Sequence, residues 1–167
     1  MMMIDRHPDY RPCVGVMLIN GDGLVFVGKR KKERGSTLPS HPWQMPQGGI
    51  DDGEAPQAAA FRELHEETNV RSASVLGETP DWYRYDIPKT YGAKVRSWRG
   101  QTQKWFALRF NGVDEEIDVL RPGDGAYKAE FSAWRWVKAA ELPGLVVPFK
   151  RDVYLKVLTA FRPFVSD

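Results

Sequence analysis

The chain has 167 residues, of which 42% are hydrophobic and 28% charged, a balance ordinary for a soluble globular protein and sufficient for one domain over residues 1–167 with a sizeable core. Lys and Arg number 24 against 22 Asp and Glu, and the resulting charge of +2 is too small to imply nucleic-acid binding by itself. The single cysteine, Cys13, excludes an intrachain disulfide and fits a reducing compartment, and its place at the start of an apolar run reads as a buried structural thiol. The opening residues lack the apolar run of a signal peptide and no stretch has the length of a membrane span, so no membrane association and a cytoplasmic location are expected.

Taken in order, Val14 to Ile19 is a short apolar run that predicts a buried strand. Asn20-Gly21-Asp22-Gly23 is a hairpin-turn signal, and Leu24 to Val27 returns as a second strand. Residues 31–42 are polar and broken by Gly35, Pro39 and Pro42, so they read as a loop. Trp43 to Gln47 is a brief extended segment in which Pro46 argues against a long central strand. Strands are expected over Ala73–Leu76, Trp82–Ile87 and Gln103–Phe110. Between the last two, residues 88–100 carry Lys89, Lys94, Arg96 and Arg99 among Tyr91 and Trp98. That mixture serves either to grip phosphates and bases or as an ordinary exposed loop. Residues 111–129 read as a loop with a short helix or turn, and 133–137 as a strand placing Trp134 and Trp136 on one face for sheet packing. A short helical turn at Ala139–Leu142 closes at Pro143-Gly144. From Pro148 to about Arg162, Phe149, Val153, Val157 and Phe161 recur at four-residue steps and predict a closing helix. Strands, a central helix, further strands and a final helix define an α+β domain with a mixed sheet between helices.

The most informative stretch runs from Gly48 to Val70, a Gly-rich loop continuing into a short acidic helix. Pro56 suits a first helical turn, where no backbone donor is needed. Glu63, Glu66 and Glu67 stand at i, i+3 and i+4 and share one face, whereas Phe61 and Leu64 fall on a side that can meet a core. Three like charges on one face repel one another, and a cation removes that penalty. Oxygen-rich clusters suit Mg2+ or Mn2+, which commonly bridge carboxylates to substrate phosphates. Gly48 and Gly49 permit close backbone approach to metal or phosphate. His7, His41 and His65 show no paired ligand spacing, and no P-loop or serine nucleophile elbow is present.

The spacing of Gly48, Glu54 and the run Arg62-Glu63-Leu64-His65-Glu66-Glu67-Thr68-Asn69-Val70 resembles the Nudix box, here residues 48–70. One position departs: a glycine is expected where Asn69 stands, and Asn is the next most tolerant residue of the left-handed conformation that ends a helix. The resemblance implies a Nudix αβα sandwich and hydrolysis of phosphoanhydride bonds. It implies that Gly48, Glu63, Glu66 and Glu67 hold metal, with one carboxylate, Glu67 for preference, taking the proton of the attacking water. Glu54 and Arg62 pair to hold loop to helix. Glu130, outside the box and immediately before a strand, is a surface acid on local sequence, and a further ligand or base by resemblance.

The likeness extends over nearly the whole chain. Tyr10 to Gly15, Trp43 to Ile50, Gln101 to Phe106, Trp134 to Val137 and Val147 to Tyr154 are similar to the bacterial RNA pyrophosphohydrolase branch, which overlaps with dinucleoside polyphosphate hydrolases. Carried onto matching positions, Arg30 and Phe149 sandwich a base, Arg11 and Lys150 hold phosphates with Lys104 a weaker candidate, and Gln47 touches a phosphate or water. The first expectation is removal of pyrophosphate from the 5′-triphosphate end of RNA. The second is cleavage of dinucleoside polyphosphates of the diadenosine tetraphosphate type. The longer loop at 31–42, adjoining Arg30, bears on which is preferred. A third, of another class, is a non-catalytic nucleotide- or RNA-binding module, against which the intact carboxylates argue.

Overall fold

The computed structural model describes residues 3–32, 40–89 and 98–167. Residues 33–39 of the loop after Arg30, and Tyr91, Lys94 and Arg96 of the basic loop, lie outside the described residues.

Strand β1 (Tyr10–Ile19) and strand β2 (Val25–Arg30) form the predicted hairpin. The Asn20 side chain accepts the backbone N–H groups of Asp22 and Leu24, each at 3.0 Å, and Gly23 supplies the positive φ of 75°. The two strands pair at Ile19 and Val25 and then diverge. Into the gap run β3 (Trp43–Gln44), bonded to β2, and β4 (Gln47–Gly49), bonded to β1. Met45 and Pro46 separate the pair, as a proline without a backbone donor requires. This split in the sheet makes the opening around which the site is built.

Beyond β1 lies β7 (Gly100–Phe110), parallel to it from Tyr10↔Gly100 to Ile19↔Arg109. Its other edge takes β6 (Tyr83–Asp86) and β5 (Ala73–Glu78), both antiparallel, and β8 (Phe131–Val137) pairs with β2. The sheet is mixed, as expected. Alternation along β7 sends Trp105 and Ala107 to one face and Phe106, Leu108 and Phe110 to the other. On the second face packs helix α1 (Pro56–Thr68), through Ala59, Ala60 and Leu64 with Phe61 at the margin. Trp134 and Trp136 sit there together, meeting edge to face at 5.7 Å and both packing on Phe26. A short helix α2 (Leu142–Leu145) and helix α3 (Arg151–Phe161) cover the first face, where Val153, Tyr154, Val157 and Phe161 are buried. Each buried aliphatic or aromatic side chain is worth about 1.5–3 kcal/mol, so the two faces jointly fix the order of layers: helix, sheet, helix.

Two expectations need correcting. Pro143 and Gly144 lie inside α2 instead of closing the turn before it, because Pro is tolerated in a first helical turn. Phe149 belongs to a 3-10 turn ahead of α3, and is half-buried at the margin of the core that Val153, Val157 and Phe161 fill. No helix among the described residues is long and apolar enough to cross a membrane.

Candidate active site

The loop Gly48–Glu54 folds back onto α1 through one side chain. Arg62 donates from Nε to Glu54 Oε2 at 2.8 Å and from Nη2 to Glu54 Oε1 at 2.9 Å, and Nη2 also reaches the Gly49 carbonyl at 2.8 Å. The expected Glu54–Arg62 pair is therefore present. Its guanidinium does more than the pairing requires: Nη1 donates to Glu63 Oε1 at 2.9 Å and Glu66 Oε2 at 3.2 Å. The Arg62 and Glu66 positions are i and i+4, so this second role was readable from spacing. These bonds to Arg62 hold the Glu54 carboxyl below its ordinary value.

The carboxylates occupy unlike surroundings. Glu67 is 6% exposed, and one oxygen accepts the Gln47 backbone N–H at 3.3 Å. Burial pushes its proton affinity well up, and the charges of Glu63 and Glu130 add to the effect. Burial also raises Glu63, against the pull of Arg62. Opposite Glu67, Lys150 is 6% exposed, and its Nζ donates to Gln44 Oε1 at 3.1 Å and Gln47 Oε1 at 3.4 Å. Burial, reinforced by the charge of Arg30, lowers Lys150 to about 7.

These groups line one cleft of about 560 Å³. Glu63, Glu66, Glu67, Gly48 and Glu130 all border it, so the acid from outside the box joins those of the helix. So do Arg11, Arg30, Gln47, Phe149 and Lys150. Lys104 does not. It is buried on β7, on the Phe106 face, and is absent from the cleft lining. The two glycines are explained by close approach. A methyl group on Gly48 would overlap the Glu63 carboxylate, and one on Gly49 the Arg11 guanidinium. None of the three histidines lines the cleft.

Tyr85, Tyr127 and Lys128 also line it and were not singled out by sequence. Tyr85 reads only as a residue of an expected strand, yet its ring lies 5.7 Å from that of Phe149. Tyr127 and Lys128 fall in a loop with no periodic signal.

The donor set suits a hard divalent cation: several carboxylates, one of them buried so that its charge is otherwise costly. Among the described residues no group of three His, Cys, Asp or Glu side chains is already arranged around one point. Arg62 bonds both Glu63 and Glu66. The repulsion expected to await a metal is met partly by this guanidinium.

A sheet split by an inserted strand pair, with an acidic helix laid along the opening, defines the fold class, and the NUDIX domain profile matches residues 9–157. The chain belongs to the Nudix family, whose hydrolases act on phosphoanhydride bonds. It is 57% identical to an RNA pyrophosphohydrolase of Bradyrhizobium diazoefficiens, over 97% of this chain and 99% of that one. It is 54% identical to one of Rhodopseudomonas palustris, over 97% and 94%, and 52% identical to one of Azorhizobium caulinodans, over 95% of each. Among solved structures, an Escherichia coli dihydroneopterin triphosphate pyrophosphohydrolase aligns with TM-score 0.60 and 19% identity over 90% of this chain and 97% of that chain. A Caenorhabditis elegans Ap4A hydrolase complex aligns with TM-score 0.59 and 16% identity over 91% and 99%. At such identities these two establish the fold alone.

Proposed function

We propose that this chain removes pyrophosphate from the 5′-triphosphate end of RNA, using Mg2+ or Mn2+ held by Glu63, Glu66, Glu67, Glu130 and the Gly48 carbonyl. The observation that carries the reading is that one cleft gathers these acids beside Arg11, Arg30, Phe149 and Lys150. The names of the relatives that align over nearly their full length support it. A bound divalent cation supplies charge neutralisation at the phosphates and a water of lowered pKa. The protein side chains do the rest. Arg11 and Lys150 orient the phosphate chain, Phe149 and Arg30 hold a base, and Gln47, fixed between Lys150 and Glu67, orients the polar groups near the reacting phosphorus. Glu67, with its raised proton affinity, is the acceptor for the proton of the attacking water. The buried thiol Cys13 fits a cytoplasmic enzyme.

The second reading, a dinucleoside polyphosphate hydrolase, is favoured by the Tyr85 and Phe149 rings 5.7 Å apart on the cleft wall, which offer stacking surface beyond one base. A side-by-side rate comparison decides between them, with triphosphorylated RNA and diadenosine tetraphosphate, each with Mg2+, Mn2+ or chelator. Faster pyrophosphate release from RNA supports the proposal. Faster cleavage of the dinucleotide overturns it in favour of the second. Turnover in neither leaves only a binding module.

A further inference from the structure

The loop that follows β7 is tied to the C-terminal end of α1. Asn69 ends the helix in the left-handed conformation, with φ of 70°, its backbone N–H bonded to the His65 carbonyl at 2.8 Å. Its side chain does what the glycine expected in the motif cannot. Nδ2 donates to the Glu116 carbonyl at 3.0 Å, and Oδ1 accepts the Gly123 N–H at 2.9 Å. Beside it, the Thr68 carbonyl accepts the Asp118 N–H at 3.0 Å. The Glu116 carboxylate accepts the N–H groups of Arg71 and Ser72 at 2.7 and 3.0 Å.

From that anchor the chain turns sharply through Gly123, Asp124 and Gly125, all at positive φ. A side chain at Gly123 would collide with the Tyr127 ring, which folds back over it. The same ring meets His65 edge-on at 5.7 Å. Tyr127 is thus pinned from two sides, and Tyr127 and Lys128 become part of the cleft lining. Lys128 is exposed and makes no ion pair among the described residues. Lys150, by contrast, is buried and bonded to two glutamine side chains. An exposed ammonium on a long, flexible stem, two residues from Glu130 in the cleft lining, can follow a phosphate chain as it enters, which the buried Lys150 cannot.

We infer that Lys128 is a phosphate-binding residue of this cleft, and that Asn69 is the positioning residue that puts it there. One helix then performs two tasks: Glu63, Glu66 and Glu67 face the cleft, while His65 and Asn69 hold the wall that carries the cation. The inference deepens the proposed function and rests on it for the substrate.

The experiment measures binding of a fluorescent 5′-triphosphorylated RNA oligonucleotide by anisotropy, in a Glu67→Gln background that blocks turnover, across a salt series. Lys128→Ala should weaken binding roughly five- to tenfold and make the slope of log affinity against log salt shallower by about 0.7, the signature of one lost phosphate contact to a single strand. Lys128→Arg should restore both. Asn69→Gly, which keeps the left-handed helix end, should weaken binding as much as Lys128→Ala, and the double variant no further. Unchanged affinity and slope in Lys128→Ala overturns the assignment of Lys128. Additive losses overturn the positioning role of Asn69. Failure of the underlying function is read separately: the protein with Glu67 intact would release no pyrophosphate from the RNA, while the order of affinities stands.

Discussion

Arg62 grips Glu54 through a two-pronged contact, Nε to Oε2 at 2.8 Å and Nη2 to Oε1 at 2.9 Å, with both side chains partly buried. The geometry matches the planar fork of guanidinium to the two oxygens of a carboxylate, which a lysine ammonium cannot reproduce. Arg62→Lys should cost about 1–2 kcal/mol, hydrogen bonds to charged groups being worth about 1.5–3 kcal/mol before partial replacement by the amine. In a chain of this size that lowers the Tm by about 2–8 °C. Thermal unfolding checks it, and turnover should fall with it, because the same guanidinium holds Glu63 and Glu66.

Glu67→Gln should lower kcat by about 10²–10⁴. Because Glu67 is buried beside other acids, the neutral amide should leave the metal-free fold as stable as wild type or more so. Added Mg2+ should raise the Tm of wild type more than that of the variant, since binding to the folded state alone stabilises it. Wild-type turnover in Glu67→Gln would remove Glu67 from the chemistry.

Gly48→Ala and Gly49→Ala separate two tasks of neighbouring residues. The added methyl strikes the end of the Glu63 side chain in the first case and of Arg11 in the second. Both are flexible, so the fold should survive. Gly48→Ala should chiefly lower kcat and Gly49→Ala chiefly raise KM, each by about tenfold or more, as displaced catalytic and phosphate contacts respectively. Steady-state kinetics on one substrate reads the split.

Phe149→Ala should raise KM by about tenfold, the stacking of a base on an aromatic ring being worth about 1–3 kcal/mol, while the Mg2+ concentration for half-maximal rate stays put. An unchanged KM would remove the ring from base binding.

Cys13 gives a pH prediction. Burial raises its thiol to about 12 from 9.0, and the side chain is 0% exposed. The folded chain therefore binds more protons than the unfolded chain between these values, so this contribution to stability is complete below pH 9 and is lost as pH rises toward 12. Relative to Cys13→Ala, wild type should lose about 2 kcal/mol of stability between pH 9 and 10.5, measured by denaturant unfolding at each pH. Native protein at pH 8 should resist thiol alkylation.

Much of the site was legible because it is local. Glu63, Glu66, Glu67, Arg62 and Asn69 lie on one helix and its end, where the helical repeat fixes which side chains share a face. The Gly48–Glu54 loop is joined to that helix by a few residues, and its pairing with Arg62 was implied by the resemblance of the motif. Cys13, the turn at Asn20–Gly23 and the alternation of β7 are local in the same sense.

Tertiary structure decided what depends on register and on distant packing. The parallel pairing of β1 with β7 sets which face of the sheet each β7 residue joins, and it leaves Lys104 buried and outside the cleft lining. The divergence of β1 from β2 brings Phe149 and Lys150, a hundred residues on from Gln47 and more, to the same opening as the carboxylates. The loop bearing Tyr127 and Lys128 follows no period, and what holds it is a pair of side-chain bonds from Asn69 across about fifty positions of sequence. A repeat along the chain reports which way a residue faces within its own element. What it meets there is set by how the two sides of the sheet bury their apolar surface, and that is a property of the whole fold.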